Sequence, residues 1–145
     1  MKEREATVVA VSTIAHGQGH AFPLFGARPA AGFPSPADNF LEDEVALDDL
    51  VEHPAATFLV RVSGLSMAPT VWDRDLLLVD RALEPKDGDV LVVALGGELV
   101  VKRLQLALGC AQLVSDNSAY PAVKLDDGAE AVCWGVAIYA IRPLR

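Results

Sequence analysis

The sequence predicts a mostly β fold, a coiled and partly barrel-like sheet that carries an extended N-terminal arm. Three observations lead to this prediction. From residue 55 onward, short runs rich in Val, Leu and Ile alternate with turn residues, which is the pattern of consecutive strands. The dipeptide Gly96-Gly97 separates two such runs and indicates a tight hairpin. Residues 16–37 are rich in Gly and Pro, which prevents a regular helix and removes donors from a sheet.

We expect strands in several segments of the chain. The first, residues 6–15, is β-prone and could pair at a sheet edge or between two copies of the chain. The remaining segments are 58–62, 75–80, 90–95, 98–106, 111–115, 120–125 and 131–141. One short helix is expected from Asp48 to His53, where Pro54 would end it. These expectations divide the chain into an arm, residues 1–37, and a β domain, residues 38–145.

Length, charge and composition narrow the class of protein. The 145 residues suit one compact domain with an arm, and 52% of them are hydrophobic, which is enough for a real core. The net charge of −8, with no basic cluster, predicts a poor direct DNA binder whose partners are proteins. No apolar stretch reaches the roughly 18–20 residues of a membrane span, and the charged N-terminus lacks the features of a secretory signal. These features predict a cytoplasmic protein, in which Cys110 and Cys133 would be reduced and partly buried.

One serine and one lysine form the candidate catalytic pair. Ser66 follows a predicted strand and the Gly64 turn, whereas Lys102 lies in a predicted strand. On that strand Lys102 shares a face with Val100 and Leu104. Burial beside apolar neighbours disfavours the ammonium form of a lysine, and the neutral amine accepts a proton from a serine hydroxyl. The pair is therefore a candidate nucleophile and general base of a hydrolase, although a turn serine and a strand lysine that reaches water are the simpler interpretations of each residue alone.

Several motifs resemble the LexA/UmuD family of self-cleaving serine peptidases. They are Ser-Gly-Leu-Ser-Met at 63–67, Gly-Asp-Val at 88–90 and Val-Lys-Arg-Leu at 101–104. Within the family, the UmuD branch comprises accessory proteins of SOS mutagenesis. The segments that resemble this branch are Phe-Pro-Leu-Phe at 22–25, Gly-Phe-Pro-Ser-Pro-Ala at 32–37, His-Pro-Ala-Ala-Thr at 53–57 and Asn-Ser-Ala-Tyr at 117–120. The resemblance covers residues 21–142, whereas residues 1–20 match poorly.

The resemblance implies a catalytic domain of the LexA/signal-peptidase type, with Ser66 as nucleophile and Lys102 as general base. It also implies self-cleavage between Ala31 and Gly32, because the family cuts after a small residue that precedes glycine. The backbone N–H groups of Leu65 and Ser66 are then the expected oxyanion hole. Small residues at the cleavage site suit a narrow cleft, and tethering gives the arm a high effective concentration as substrate.

The resemblance also implies partners and a function. The protein would be a homodimer whose self-cleavage is stimulated by RecA filaments on single-stranded DNA. The truncated dimer would then serve as an accessory subunit of a Y-family translesion polymerase, as in DNA polymerase V, and no cofactor is implied. Two alternatives stay open. One is a LexA-like transcriptional repressor, for which the Gly- and Pro-rich leader supplies no helix-turn-helix, and the other is a non-catalytic interaction module of the same fold.

Histidine side chains provide two weaker candidates for chemistry. His16 and His20 have the four-residue spacing of helical metal ligands, but the glycines between them argue against a helix, and no metal is expected. His53 could act as an alternative base for a serine, although its position before Pro54 favours a place at a helix end.

Overall fold

The computed structural model describes residues 4–14, 21–25, 41–125 and 130–145 of the chain. Within these residues the structure is mostly β, as the sequence predicts, with ten strands in two sheets. The strands are β1 (Thr7–Thr13), β2 (Phe22–Phe25), β3 (Leu41–Val45), β4 (Thr57–Ser63), β5 (Leu76–Asp80), β6 (Val90–Leu95), β7 (Glu98–Ala107), β8 (Cys110–Val114), β9 (Val123–Lys124) and β10 (Ala131–Ile141). The chain divides into two compact units, one formed by residues 1–14 and 55–145 and the other by residues 15–54.

Helical structure in the described residues consists of two short 3₁₀ helices, Leu47–Leu50 and Pro54–Ala56. The predicted helix from Asp48 to His53 is therefore wrong in its extent. The backbone is already extended at Val51, and the residue before a proline avoids the helical region. No helix in the described part of the chain is long and apolar enough to cross a bilayer.

Six strands of the larger unit close into a barrel. Their order is β1-β4-β5-β10-β6-β7, and the barrel closes where Thr7 of β1 pairs with Val100 of β7. Beyond the barrel, β8 pairs with β7, and β9 pairs with β8. From the sequence, residues 6–15 are expected to pair at a sheet edge or between two copies of the chain. In the structure, β1 pairs with β4 along its length and with β7 only at Thr7, so the segment does pair in a sheet and most of its other side has no partner strand among the described residues.

The alternation of side chains along the strands separates the buried apolar residues into two clusters. The first consists of Ala6, Val60, Val62, Met67, Val71, Leu77, Val79, Val92 and Val101. The second consists of Leu91, Val93, Val100, Leu104, Leu113 and Val136. Val100 and Val101 are consecutive residues of β7 but belong to different clusters, since they point to opposite faces of the sheet. Lys102 therefore shares its face with the second cluster.

Strand β7 changes its neighbour along one edge at Lys102. Before this residue, Val100 pairs with Thr7 of β1. After it, Arg103 pairs with Val114 of β8. Lys102 therefore lies between the two partners of this edge. Strand β1 pairs with the part of β7 before the lysine, and β8 pairs with the part after it.

The smaller unit contains an antiparallel pair of strands. Phe22 of β2 pairs with Val45 of β3, so residues of the predicted arm form part of a sheet. After β3, the N–H of Ala46 donates a 2.7 Å hydrogen bond to the carboxylate of Asp49, which stabilises the start of the first 3₁₀ helix. Residues 15–20 and 26–40 lie outside the described part of the chain.

Candidate functional site

Ser66 lies in the loop that follows β4, just after a tight turn. Gly64 forms this turn with a φ of 109°, a backbone conformation that favours glycine. The side chain of Met67 is fully buried in the first apolar cluster and anchors the loop to the barrel core. The carbonyl oxygen of Ser66 accepts a 2.9 Å hydrogen bond from the N–H of Asn117. These contacts hold Ser66 in a position with 0% exposure to solvent.

Lys102 is almost as deeply buried, with 3% of the residue exposed. Its neighbours on the same face of β7, Val100 and Leu104, are buried in the second apolar cluster. The Nζ atom donates a 2.9 Å hydrogen bond to the hydroxyl of Ser115, the residue that follows β8. Ser115 is not among the site residues that the sequence predicts, because this contact depends on how β7 and β8 pair.

The carboxylate of Glu5 joins the two candidate catalytic residues. Its Oε1 atom lies 2.7 Å from the Nζ of Lys102 and accepts a 3.2 Å hydrogen bond from the hydroxyl of Ser66. The amine and the hydroxyl both contact one oxygen atom of this carboxylate. The structure therefore places Ser66 and Lys102 in one site, where both contact the carboxylate of Glu5.

The N-terminal segment, residues 4–7, lies against the Ser66 loop. The N–H of Leu65 donates a 2.9 Å hydrogen bond to the carbonyl oxygen of Arg4. The N–H of Ala6 donates a 2.7 Å hydrogen bond to the Oγ of Ser66. Leu65 is one of the expected oxyanion-hole residues, so its N–H and the expected nucleophile are both bonded to the N-terminal segment.

The N-terminal segment also contacts the opposite wall of the site, which is β7. The carbonyl oxygen of Ala6 accepts a 2.9 Å hydrogen bond from the N–H of Val101. On the loop side, a Cβ atom at Gly64 would overlap the backbone of Glu5. The site is thus a groove between the Ser66 loop and β7 that binds an extended peptide by strand addition.

An ion pair beside the groove joins three of the elements that surround it. Arg103 donates hydrogen bonds of 2.8 and 2.7 Å to the carboxylate of Asp116, which also bonds the hydroxyl of Thr70. The hydrogen bond to Asp116 raises the pKa of Arg103, against the opposing effect of burial. Arg103 lowers the pKa of Asp116 below its ordinary value, again against burial, and Thr70 adds to the lowering. Because Arg103 follows Lys102 and Asp116 follows Ser115, this pair fixes the middle of β7 to the segment after β8, beside the lysine.

Ala31, Gly32, His16 and His20 lie outside the described residues, and His53 is half-buried in the smaller unit. Within the described residues, no group of three or more His, Cys, Asp and Glu side chains is arranged to hold a metal ion. Cys110 and Cys133 are free thiols, but both are exposed rather than partly buried. Cys110 opens β8 directly after a turn, and Cys133 lies in the exposed first part of β10.

Comparison with known proteins identifies the family. A model described as Peptidase S24-like matches residues 23–138. Protein ImpA of Salmonella typhimurium is 49% identical over 127 residues, which cover 85% of this chain and 85% of that protein. Protein MucA of Escherichia coli is 38% identical over 126 residues, covering 84% of this chain and 85% of that protein. The LexA repressor of Burkholderia mallei is 37% identical over 123 residues, covering 83% of this chain and 57% of that protein.

These matches confirm the resemblance to the LexA/UmuD family that the sequence motifs indicate. The matched region includes the Ser66 loop and the strand that carries Lys102. The mostly β architecture with a closed barrel is also the fold that the resemblance implies. The chain therefore belongs to the Peptidase S24-like family of self-cleaving serine peptidases.

Proposed function

We propose that the protein is a UmuD-like self-cleaving peptidase of the SOS response, with Ser66 as nucleophile and Lys102 as general base. One observation carries the proposal. A buried hydroxyl and a buried amine contact the same carboxylate oxygen in a groove that binds an extended peptide. Membership of a serine peptidase family supports the same chemistry.

In the proposed reaction, the Ala31–Gly32 bond of the arm binds in the groove as an extended strand. Neutral Lys102 takes the proton of the Ser66 hydroxyl while the serine oxygen bonds to the carbonyl carbon of Ala31. The N–H groups of Leu65 and Ser66 stabilise the resulting oxyanion. As the carbon–nitrogen bond breaks, the lysine ammonium returns the proton to the amine of Gly32, and water then releases the acyl group from the serine.

The proposed trigger is a RecA filament on single-stranded DNA in the cytoplasm. A partner accelerates cleavage if it binds the arm-docked, lysine-neutral state more tightly than the resting state. Removal of residues 1–31 then yields a truncated homodimer that acts as an accessory subunit of a Y-family translesion polymerase. The relatives ImpA and MucA, each covered over 85% of its own length, support this branch of the family.

The proposal is tested by mass spectrometry of the purified protein after incubation with RecA filaments. We expect two fragments, one ending at Ala31 and the other beginning at Gly32. The variants Ser66→Ala and Lys102→Ala should each remain intact. The same substitutions at exposed positions, Ser118→Ala and Lys86→Ala, serve as controls and should be cut at the wild-type rate. Cutting at Ala31–Gly32 that persists in both active-site variants would mean that a contaminating protease is responsible.

A LexA-like repressor is the second candidate, and the match to the Burkholderia mallei repressor is the observation that favours it. The chain covers 57% of that repressor, compared with 85% of ImpA, and its net charge of −8 opposes binding to DNA phosphates. A gel shift with SOS operator DNA separates the two functions, and we expect no shift. A third possibility, a non-catalytic module, is supported only if the wild-type chain stays intact with RecA filaments and at alkaline pH.

A further inference from the structure

The groove of this chain is occupied by a peptide, which is the N-terminal segment of the same chain. The segment is bonded on both sides, to Leu65 and Ser66 on the loop and to Val101 on β7. Ala6 anchors it, since this residue is fully buried in the first apolar cluster. An occupant bonded in this way excludes any second strand from the groove.

The N-terminal segment is not placed for cleavage. The N–H of Leu65 holds the carbonyl oxygen of Arg4, which belongs to the peptide unit between Arg4 and Glu5. The Oγ of Ser66 instead contacts the N–H of Ala6, which belongs to the next peptide unit. An acyl-transfer site needs the nucleophile and the oxyanion donor on the same carbonyl group. The pose therefore gives binding without reaction.

The side chain of Glu5 adds a chemical block to this physical one. Its carboxylate oxygen is 2.7 Å from the Nζ of Lys102 and 3.2 Å from the Oγ of Ser66. It holds the lysine amine in an ion pair and takes the serine hydrogen into a bond that does not lead to the lysine. About one third of the Glu5 side chain is exposed (33%), so water can replace these contacts when the segment leaves.

We propose that the N-terminal segment is an inhibitory ligand of the catalytic groove, in which Glu5 silences the Ser66–Lys102 pair. The ligand class is an extended peptide with a carboxylate on the residue between its two backbone anchors. For the catalytic consequence, the inference rests on the self-cleavage proposed above. The Ala31–Gly32 bond must then compete with residues 4–7 for one groove, and the cleavage rate follows the fraction of molecules whose groove is empty.

The test uses the variant Glu5→Gln, which removes the negative charge of Glu5 and keeps the shape of its side chain. Glu84→Gln is the matched control, since it removes a carboxylate from an exposed residue. An acetylating reagent measures access to Lys102 independently of catalysis, with mass spectrometry giving the extent of labelling. The exposed Lys86 and Lys124 are internal references for reagent strength.

We expect Lys102 to be labelled at least about tenfold faster in Glu5→Gln than in the wild type, the change that one charge-assisted hydrogen bond produces. Self-cleavage should accelerate by a similar factor, and Glu84→Gln should change neither rate. A synthetic peptide of residues 1–14, added to Glu5→Gln, should restore protection of Lys102. The same peptide with Gln at position 5 should protect it less.

Two results overturn the inference: equal labelling of Lys102 in Glu5→Gln and the wild type, or a wild type that cuts itself at least as fast as Glu5→Gln. A third result separates the inference from the proposed function. If Lys102 becomes accessible in Glu5→Gln but neither protein is ever cut, the N-terminal segment is a ligand of the groove and the proposed self-cleavage is wrong.

Discussion

The carboxylate of Glu5 and the amine of Lys102 are 2.7 Å apart, although they come from distant parts of the chain. The contact forms because β1 pairs with the first part of β7, which brings the residues before β1 to the point where β7 changes its neighbour. Glu5, just before β1, and Ser115, just after β8, then both contact the lysine amine. The surroundings of the lysine amine thus come from three parts of the chain, namely β7, the residues before β1 and the residue after β8.

Replacing Lys102 with Met keeps the apolar length of the side chain and removes its charge. We expect Lys102→Met to abolish self-cleavage and also to loosen the N-terminal segment, because the carboxylate of Glu5 loses its partner. Hydrogen–deuterium exchange of residues 4–13 measures the second effect, with an expected rate about tenfold above the wild type. Lys86→Met is the control, and unchanged exchange of residues 4–13 in Lys102→Met would contradict the expectation.

Ser115 positions the amine of Lys102 through its 2.9 Å hydrogen bond. We expect Ser115→Ala to slow self-cleavage about tenfold, since proton transfer depends on the direction in which the amine points. The pH at which the rate is half-maximal should also move. Ser115→Thr retains the hydroxyl and should restore both the rate and the pH profile. A rate that Ser115→Thr fails to rescue would assign Ser115 a packing role only.

The ion pair of Asp116 and Arg103 predicts a pH dependence of stability. Arg103 lowers the pKa of Asp116 from its ordinary value of 3.8. The ion pair therefore adds to the free energy of unfolding above that pH, and this contribution is lost as the pH falls through the pKa of Asp116 in the folded protein. We expect Asp116→Asn to lower the free energy of unfolding at pH 7 and to differ less from the wild type near pH 3. Urea denaturation at both pH values measures this. Glu98→Gln, at an exposed position, should show a small difference at both.

Two glycines with positive φ distinguish backbone strain from close packing. Gly64 has a φ of 109°, and a Cβ there would overlap the backbone of Glu5. Gly96 has a φ of 60°, and a Cβ there would meet nothing within 4 Å. Both alanine variants carry the cost of an unfavourable φ, about 1–3 kcal/mol. Thermal or urea unfolding should show a larger loss for Gly64→Ala, together with faster labelling of Lys102, whereas equal losses would show that the N-terminal segment does not press on this turn.

Local patterns in the sequence predict most of the barrel. The expected strands 90–95 and 131–141 match β6 and β10 residue for residue, because each is an apolar run bounded by turn residues. Gly96 and Gly97 have φ values of 60° and 83°, as a tight hairpin turn requires. Strand β9 is shorter than the expected 120–125, since only Val123 and Lys124 pair with β8.

The contacts of Glu5 and Ser115 with Lys102 are not predictable from such patterns. Glu5 lies in a short charged run that resembles an ordinary solvated terminus, and Ser115 lies in what the sequence indicates as a strand end and turn. Both contacts depend on the pairing of β7 with strands far from it in the chain, and periodicity carries no information about such pairing. The sequence indicates only apolar neighbours for Lys102, and only the structure shows the carboxylate of Glu5 at 2.7 Å from its amine.

Strand β1 is one strand of the barrel and also lies in the fragment that cutting after Ala31 would remove. Departure of that fragment would leave one edge of β4 without its partner strand and would expose a row of amide and carbonyl groups there. Exposed strand edges of this kind pair readily with strands of other molecules. The shortened protein would therefore bind strands of other molecules more readily than its precursor. Proteolysis would here create a binding edge as well as remove the N-terminal residues.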